Sequence, residues 1–144
     1  MARRGTAAAH NAPSTITDIR RPAPRTPDAM HELSLAGSIL DIVERAAARE
    51  RAARVVRVGI EVGRLAGVEV EALRFALAAI APGTCLDGVA IDVDEPAGEA
   101  WCETCGRSTP LDRRGDACRH CGGWQLRPTA GTALRVVELQ VVEA

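Results

Sequence analysis

The 144-residue chain has almost no aromatic side chains: Phe75, Trp101 and Trp124 are all it carries, and tyrosine is absent. Sites that stack single-stranded bases need aromatic platforms, so the composition argues against such a site. The core must be built from Ala, Val, Leu and Ile. Lysine is also missing, and all 18 basic residues are arginine; this reads as coding bias rather than chemistry. Long apolar runs are lacking too. The longest, Phe75 to Ala81, is far below the roughly 18 residues that suggest a membrane span, so no membrane partner is expected. Arg3-Arg4 superficially resembles an export signal, but no apolar h-region follows, and a cytoplasmic location is expected. The formal net charge is −1, so the chain is no polycation.

The informative residues are the cysteines: Cys85, Cys102, Cys105, Cys118 and Cys121. The last four form two C-x-x-C turns separated by twelve residues. A single such turn is ambiguous between redox chemistry and metal. Two at this spacing read as a zinc ribbon, because each turn aims two thiolates at one point and two turns complete a tetrahedron. Gly106 and Gly122 follow the second cysteine of each turn, where the backbone must bend sharply. Two disulfides would need an oxidising compartment, and a dithiol redox pair is the other rival. Four thiolates leave no open position for water or substrate, so the site is structural, replacing a core that a short segment cannot build. His120 lies inside the second turn and reads as a solvent-facing knuckle residue. Cys85 reads as a small buried hydrophobe.

Residues 1–29 hold four of the eight prolines, five arginines and two acids. They read as a disordered basic extension. The remainder has 13 arginines against 17 acids, a net of −4. From Glu32 to about Arg51, Leu35, Ile39, Ile42, Val43 and Ala46 recur at helical steps. Val55 to Val62 reads as a strand, with Val56, Val58, Ile60 and Val62 on one face. A glycine-bounded loop, Gly63 to Gly67, follows. A second helix is expected over Glu69 to Ala81, with Val70, Leu73, Leu77 and Ile80 buried, and Pro82-Gly83 stops it. Strands are expected over Val89 to Glu95 and Ala133 to Val142, with the ribbon over Ala97 to Gly131. The fold class is therefore α+β: a small sheet with two helices on one face and an inserted four-cysteine zinc ribbon. The expected domains are 30–96 plus 132–144, and 97–131.

The chain has two methionines, Met1 and Met30. Met30 falls where the proline-rich composition gives way to helical periodicity, and it directly precedes His31-Glu32. Met30 is therefore expected to be the biological start, with residues 1–29 an upstream misreading; a real, cleavable extension is the rival. If Met30 is first, its amine, the following amide nitrogens and the His31 imidazole form a short chelating strand. An α-amine has a pKa of about 7.7–8.0, so a metal displaces its proton near neutral pH. Nitrogen donors of this kind suit square-planar Ni(II) or Cu(II), and Glu32 can add an oxygen. A peptide bond at Met30 would remove one donor. A lone histidine at a helix start is, taken by itself, more often a surface residue.

Met30-His31-Glu32-Leu33-Ser34 opening an amphipathic helix resembles the start of the HypA/HybF nickel-insertion proteins, which mature [NiFe] hydrogenases. The resemblance runs through Val58 to Leu73, where Gly63, Val68, Glu69 and Leu73-Arg74-Phe75 fit, through the ribbon, and into Gly131-Thr132-Ala133-Leu134-Arg135-Val136. It covers residues 30–144. It implies a nickel domain and a structural zinc domain, no enzymatic activity of its own, and nickel delivery to the hydrogenase large subunit with a HypB-type GTPase. Urease maturation proteins are further candidate partners. By resemblance, nickel falls to Met30, His31 and Glu32, with Glu69 as an additional acidic candidate. Zinc falls to Cys102, Cys105, Cys118 and Cys121. A monomer or weak homodimer is expected. The competing reading is a zinc-ribbon nucleic-acid module carried by Arg107, Arg113, Arg114, Arg119 and Arg127. The acidic body opposes it. A redox or hydrolytic enzyme is the third reading, and no nucleophile–base pattern supports it.

Overall fold

The structure, a computed structural model, describes residues 13–17 and 31–143. Among these the order is β1 (Ser14–Thr17), α1 (His31–Arg49), β2 (Ala52–Val62), α2 (Val70–Ile80), β3 (Ala90–Asp94), β4 (Glu99–Cys102), β5 (Arg107–Pro110), β6 (Leu126–Ala130) and β7 (Leu134–Glu143). Two sheets result. The first has the order β1-β7-β2-β3 and the second β5-β4-β6. β2 and β3 are parallel, so they need a crossover, which α2 supplies. β7 returns antiparallel to β2.

α1 forms because its apolar residues recur on one stripe. Leu35, Ala36, Ile39, Ile42, Val43 and Ala46 are buried, Glu32 lies in the first turn and Arg49 in the last, both favourable to the helix dipole. The helix ends earlier than Arg51 because Arg51 takes φ 50° and turns the chain into β2. α2 buries Leu73, Ala76 and Leu77, with Val70 and Ile80 partly buried against the same cluster. Phe75 stays 78% exposed.

β2 departs from strict alternation. Val58, Ile60 and Val62 face the core as the pattern requires, but Val55, not Val56, is the fourth buried residue. The ladder with β7 shifts register between Val55 and Arg57. A bulge adds one residue to one strand and so exchanges the two faces beyond it.

The two helices and the first sheet enclose one apolar cluster, with Ile39, Leu73, Leu77, Val58, Ile60 and Leu139 among its most buried members. The ribbon has only a small cluster of its own: Leu65, Ala100 and Leu111, with Leu126 half-buried beside them. Leu65 comes from the glycine-bounded loop after β2. Backbone bonds fix that loop to the ribbon's base: Gly63 N donates to the Ala133 carbonyl at 2.9 Å, Arg64 N to that of Pro96 at 3.1 Å and Leu65 N to that of Gly131 at 2.8 Å. The approach needs glycine. A Cβ on Gly63 would overlap the Gly131 backbone, and one on Gly98 would overlap the Leu111 carbonyl and the Leu65 side chain.

One element lies where none is expected. Ser14–Thr17, inside the proline-rich stretch, pairs with β7. Thr15, Ile16 and Thr17 are β-branched and suit a pleated surface, but four residues are too few to register as periodicity among prolines. The rest of residues 1–29, and Met30, lie outside the described residues.

Candidate metal centre

The four ribbon cysteines converge. Cys102 ends β4, Cys105 sits in the turn leading to β5, and Cys118 and Cys121 lie between β5 and β6. Their sulfurs all lie within 4.8 Å of one another. Cys102 Sγ is 3.6 Å from Cys121 Sγ, and Cys105 Sγ is 3.8 Å from Cys118 Sγ. Four sulfurs at the usual zinc–sulfur distance of about 2.3 Å, set at tetrahedral angles, stand about 3.8 Å apart. A disulfide would bring a pair to about 2.05 Å, and all five cysteines are free thiols. The set is therefore suited to a structural zinc ion, which would tie β4 to the segment before β6.

Each turn is built alike. Gly106 N donates to the Cys102 carbonyl and Gly122 N to the Cys118 carbonyl, both at 2.9 Å. Gly106 and Gly122 take φ of 66° and 73°, where a side chain would be strained. The backbone amides aim at sulfur as well: His120 N lies 3.4 Å from Cys118 Sγ, and Gly123 N 3.4 Å from Cys121 Sγ. These amides favour thiolate. The Cys121 amide, helped by that of His120, lowers the Cys118 thiol to about 6, and the Cys105 amide lowers Cys102. Desolvation pushes Cys105 up to about 12, with the neighbouring thiols adding to it. At Cys121 the Gly123 amide pulls down, but hydrogen bonding to Cys102 and desolvation outweigh it, and the thiol is raised. Backbone amides thus lower Cys118 and Cys102, whereas desolvation and the neighbouring thiols raise Cys105 and Cys121.

His120 is exposed and stays out of the cage, its Nε2 lying 3.1 Å from the Ser108 carbonyl. Thr109, which sequence reasoning missed, is fully buried. Its hydroxyl accepts from the Arg119 amide at 3.3 Å and so fixes the second turn on β5. A lone threonine among polar neighbours carries no signal of that role. Among the ribbon arginines, Arg119 pairs with Asp112 at 2.6 Å, Arg127 with Glu103 at 3.5 Å, and Arg114 donates to the Leu65 carbonyl at 3.2 Å. Three of the five arginines offered for phosphate are thus engaged within the protein. Cys85 packs half-buried against the main cluster, and burial pushes its thiol up.

The residues read as nickel donors lie at the other end of the molecule's chemistry. His31 is the first residue of α1, half-buried beside Glu32. Glu32 Oε1 accepts from the Glu69 amide at 3.2 Å. Glu69 caps α2, its own carboxylate accepting from the Glu71 amide at 3.2 Å. Packing of α1 on α2 therefore brings Glu32 and Glu69 together. Met30 lies outside the described residues.

An α+β body carrying an antiparallel four-thiol ribbon between β3 and β7 defines a small metal-binding protein. The comparisons with known proteins name the kind. A family model described as "Hydrogenase/urease nickel incorporation, metallochaperone, hypA" matches residues 30–141, and the chain belongs to this family. The hydrogenase maturation factor HypA of Cupriavidus necator is 58% identical over 112 residues, 78% of this chain and 94% of the relative. That of Polaromonas naphthalenivorans is 57% identical over 114 residues, 79% and 99% of the two chains. The solution structure of the Ni metallochaperone HypA from Helicobacter pylori covers 80% of this chain and 100% of its own, at a TM-score of 0.59 and 19% identity. A second HypA solution structure gives a TM-score of 0.57 at 21% identity. At those identities the likeness concerns the fold.

Proposed function

We propose that this chain carries Ni(II) for insertion into a hydrogenase, and that it does so through the start of α1. The observation that carries the reading is the continuous family match from residue 30 to residue 141, which takes in both the four-thiol cage and the Glu32–Glu69 junction. Nickel is cargo. The donors are the Met30 nitrogen, the His31 imidazole and Glu32, with Glu69, whose backbone amide bonds the Glu32 carboxylate, as the additional acidic candidate. In a chain that begins at Met30 the site lies at the chain end, which opens at low cost and so suits capture and release.

Residues 30–96 with 132–144 form the nickel-carrying domain, and residues 97–131 the zinc domain that shapes a docking surface. Zinc supplies the ribbon with the cohesion that its small apolar cluster lacks. The partners are a HypB-type GTPase and the large subunit of a [NiFe] hydrogenase, with urease maturation proteins as a further outlet. The chain acts in the cytoplasm, where thiols stay reduced, as a monomer or weak homodimer, and performs no catalysis of its own. No helix among the described residues is long and apolar enough to cross a membrane.

The test is a nickel titration of a chain beginning at Met30 against the same chain with His31→Ala. Loss of a donor should weaken nickel by at least about tenfold, the loss that even an outer partner of a metal ligand typically causes. Equal affinity would overturn the assignment.

A further inference from the structure

The first sheet has two edges, and they are managed differently. Edge strands expose unpaired N–H and C=O groups, and proteins protect them by shortness, charge or a cover. β3 is five residues long and carries Asp92 and Asp94 at alternate positions. β7 is ten residues long, and its Leu139 and Val141 are buried in the main cluster. Its far edge is covered by β1, in register from Ser14 opposite Val141 to Thr17 opposite Glu138. Burial alternates along β1. Ile16 packs against the main cluster, and Ser14 Oγ lies 3.5 Å from Glu143 Oε1.

This cover does not belong to the family body. The family match starts at residue 30. The relatives align over 112 and 114 residues that make up 94% and 99% of their length, which leaves no room for a segment as long as residues 1–29. A strand foreign to the body therefore finds a ladder partner and an apolar seat already present on it.

We infer that the β7 edge at residues 138–141 is an acceptor site for an extended polypeptide segment, and that Ser14–Thr17 is its resident ligand, bound within the same chain. Recognition follows strand addition: main-chain hydrogen bonds supply affinity, and alternate side chains supply selectivity. The acceptable segment is extended and free of proline across the four paired positions. It places one branched apolar side chain where Ile16 sits and a small polar one where Ser14 sits. Thirteen residues separate Thr17 from His31. Being part of the same chain, the resident strand competes intramolecularly, so a competing segment must be abundant or tighter to displace it. A body that begins at Met30 offers the same edge open. The inference is independent of which residues hold nickel.

The experiment uses two chains and one probe. The probe is a synthetic peptide of residues 12–19, with an Ile16→Asp peptide as control. A chain of residues 30–144 keeps every member of the main cluster except Ile16 and corresponds to nearly whole relatives, so it folds by itself. Amide resonances of residues 138–141 in that chain should shift saturably with the probe and stay still with the control. The full chain should need about tenfold more probe for the same shift, because its own strand competes. In the full chain, Ile16→Asp should speed hydrogen exchange at residues 138–141 while zinc content and α1 protection hold. Unmoved amides in the short chain, equal probe response in both chains, or unchanged exchange in the variant would each overturn the inference. Dimers of the full chain that dissociate on Ile16→Asp would show the strand exchanged between copies, and would overturn its intramolecular seating.

Discussion

Glu32 and Glu69 stand 37 positions apart, yet Glu32 Oε1 lies 3.2 Å from the Glu69 backbone nitrogen and accepts its hydrogen bond. The bond joins the first turn of α1 to the cap of α2. The Glu32 carboxylate is thereby held on the α2 cap, while the Glu69 carboxylate accepts from the Glu71 amide.

Removing that acceptor should separate folding from metal. Glu32→Ala costs about 0.5–1.5 kcal/mol, the net worth of a typical hydrogen bond, so thermal unfolding shifts modestly. Nickel affinity should fall clearly in a chain beginning at Met30. Glu32→Gln keeps an oxygen for the Glu69 amide and should retain the stability while still losing nickel. Calorimetric unfolding and nickel titration of the same three proteins check this.

Glu69→Ala removes the cap of α2, whose carboxylate satisfies the Glu71 amide. Loss of a side-chain cap costs about 1 kcal/mol. The expected result is a lower denaturant midpoint with an unchanged slope, and zinc content should not alter, because the four cage cysteines lie in the ribbon.

Stripping zinc, or replacing Cys118 by serine, should unfold the ribbon and spare the body. The small cluster of Leu65, Ala100 and Leu111 cannot hold three short strands by itself, whereas the helices and the first sheet keep their own core. Both tryptophans, Trp101 and Trp124, lie in the ribbon. Chelation should therefore change near-ultraviolet dichroism and tryptophan emission strongly while the helical far-ultraviolet signal persists.

Zinc affinity should rise with pH. A thiol at about 12 is protonated at neutral pH, as Cys105 is, and the raised Cys121 follows it. Cys118, at about 6, is already ionised there. Zinc needs all four as thiolates, so binding near neutral pH expels protons from Cys105 and Cys121. At least two protons are therefore released, and affinity gains about a hundredfold or more per pH unit. Below about pH 6 Cys118 also holds its proton, and the dependence steepens. Competition with a chromophoric chelator across that range measures the slope.

Gly98→Ala should be among the most damaging small substitutions, because its Cβ would overlap the Leu111 carbonyl and the Leu65 side chain. Overpacking against backbone costs about 1–3 kcal/mol or more. Leu65→Ala should cost about 2–5 kcal/mol and loosen the ribbon on the body. Limited proteolysis at the ribbon's base distinguishes both from Gly67→Ala, which meets nothing within 4 Å and carries only the strain of its φ of 71°.

Much of the fold was readable from local chemistry. The stripe from Leu35 to Ala46, the stop at Pro82-Gly83, the two cysteine turns and the inserted ribbon all follow from periodicities and spacings shorter than one helix or hairpin. The misreadings were small in extent and of one kind. Val55 took the place of Val56 because a bulge in the β7 ladder exchanged the faces of β2. β1 was missed because its partner lies at the opposite end of the chain. Leu65 lies in a loop as expected, but its burial shows only in the tertiary fold because its apolar neighbours, Ala100 and Leu111, come from the ribbon.

By itself, then, the order of residues determined which segments are helix and strand, that four thiols would meet, and that His31-Glu32 would open a helix. These outcomes depend on neighbours a few positions away, where backbone geometry leaves few options. Tertiary structure decided that Glu69 meets Glu32, that Leu65 plugs the ribbon's base, and that β7 receives a strand from residues 14–17. Those contacts depend on how layers pack across more than thirty residues, and no pattern confined to either partner encodes the other's position.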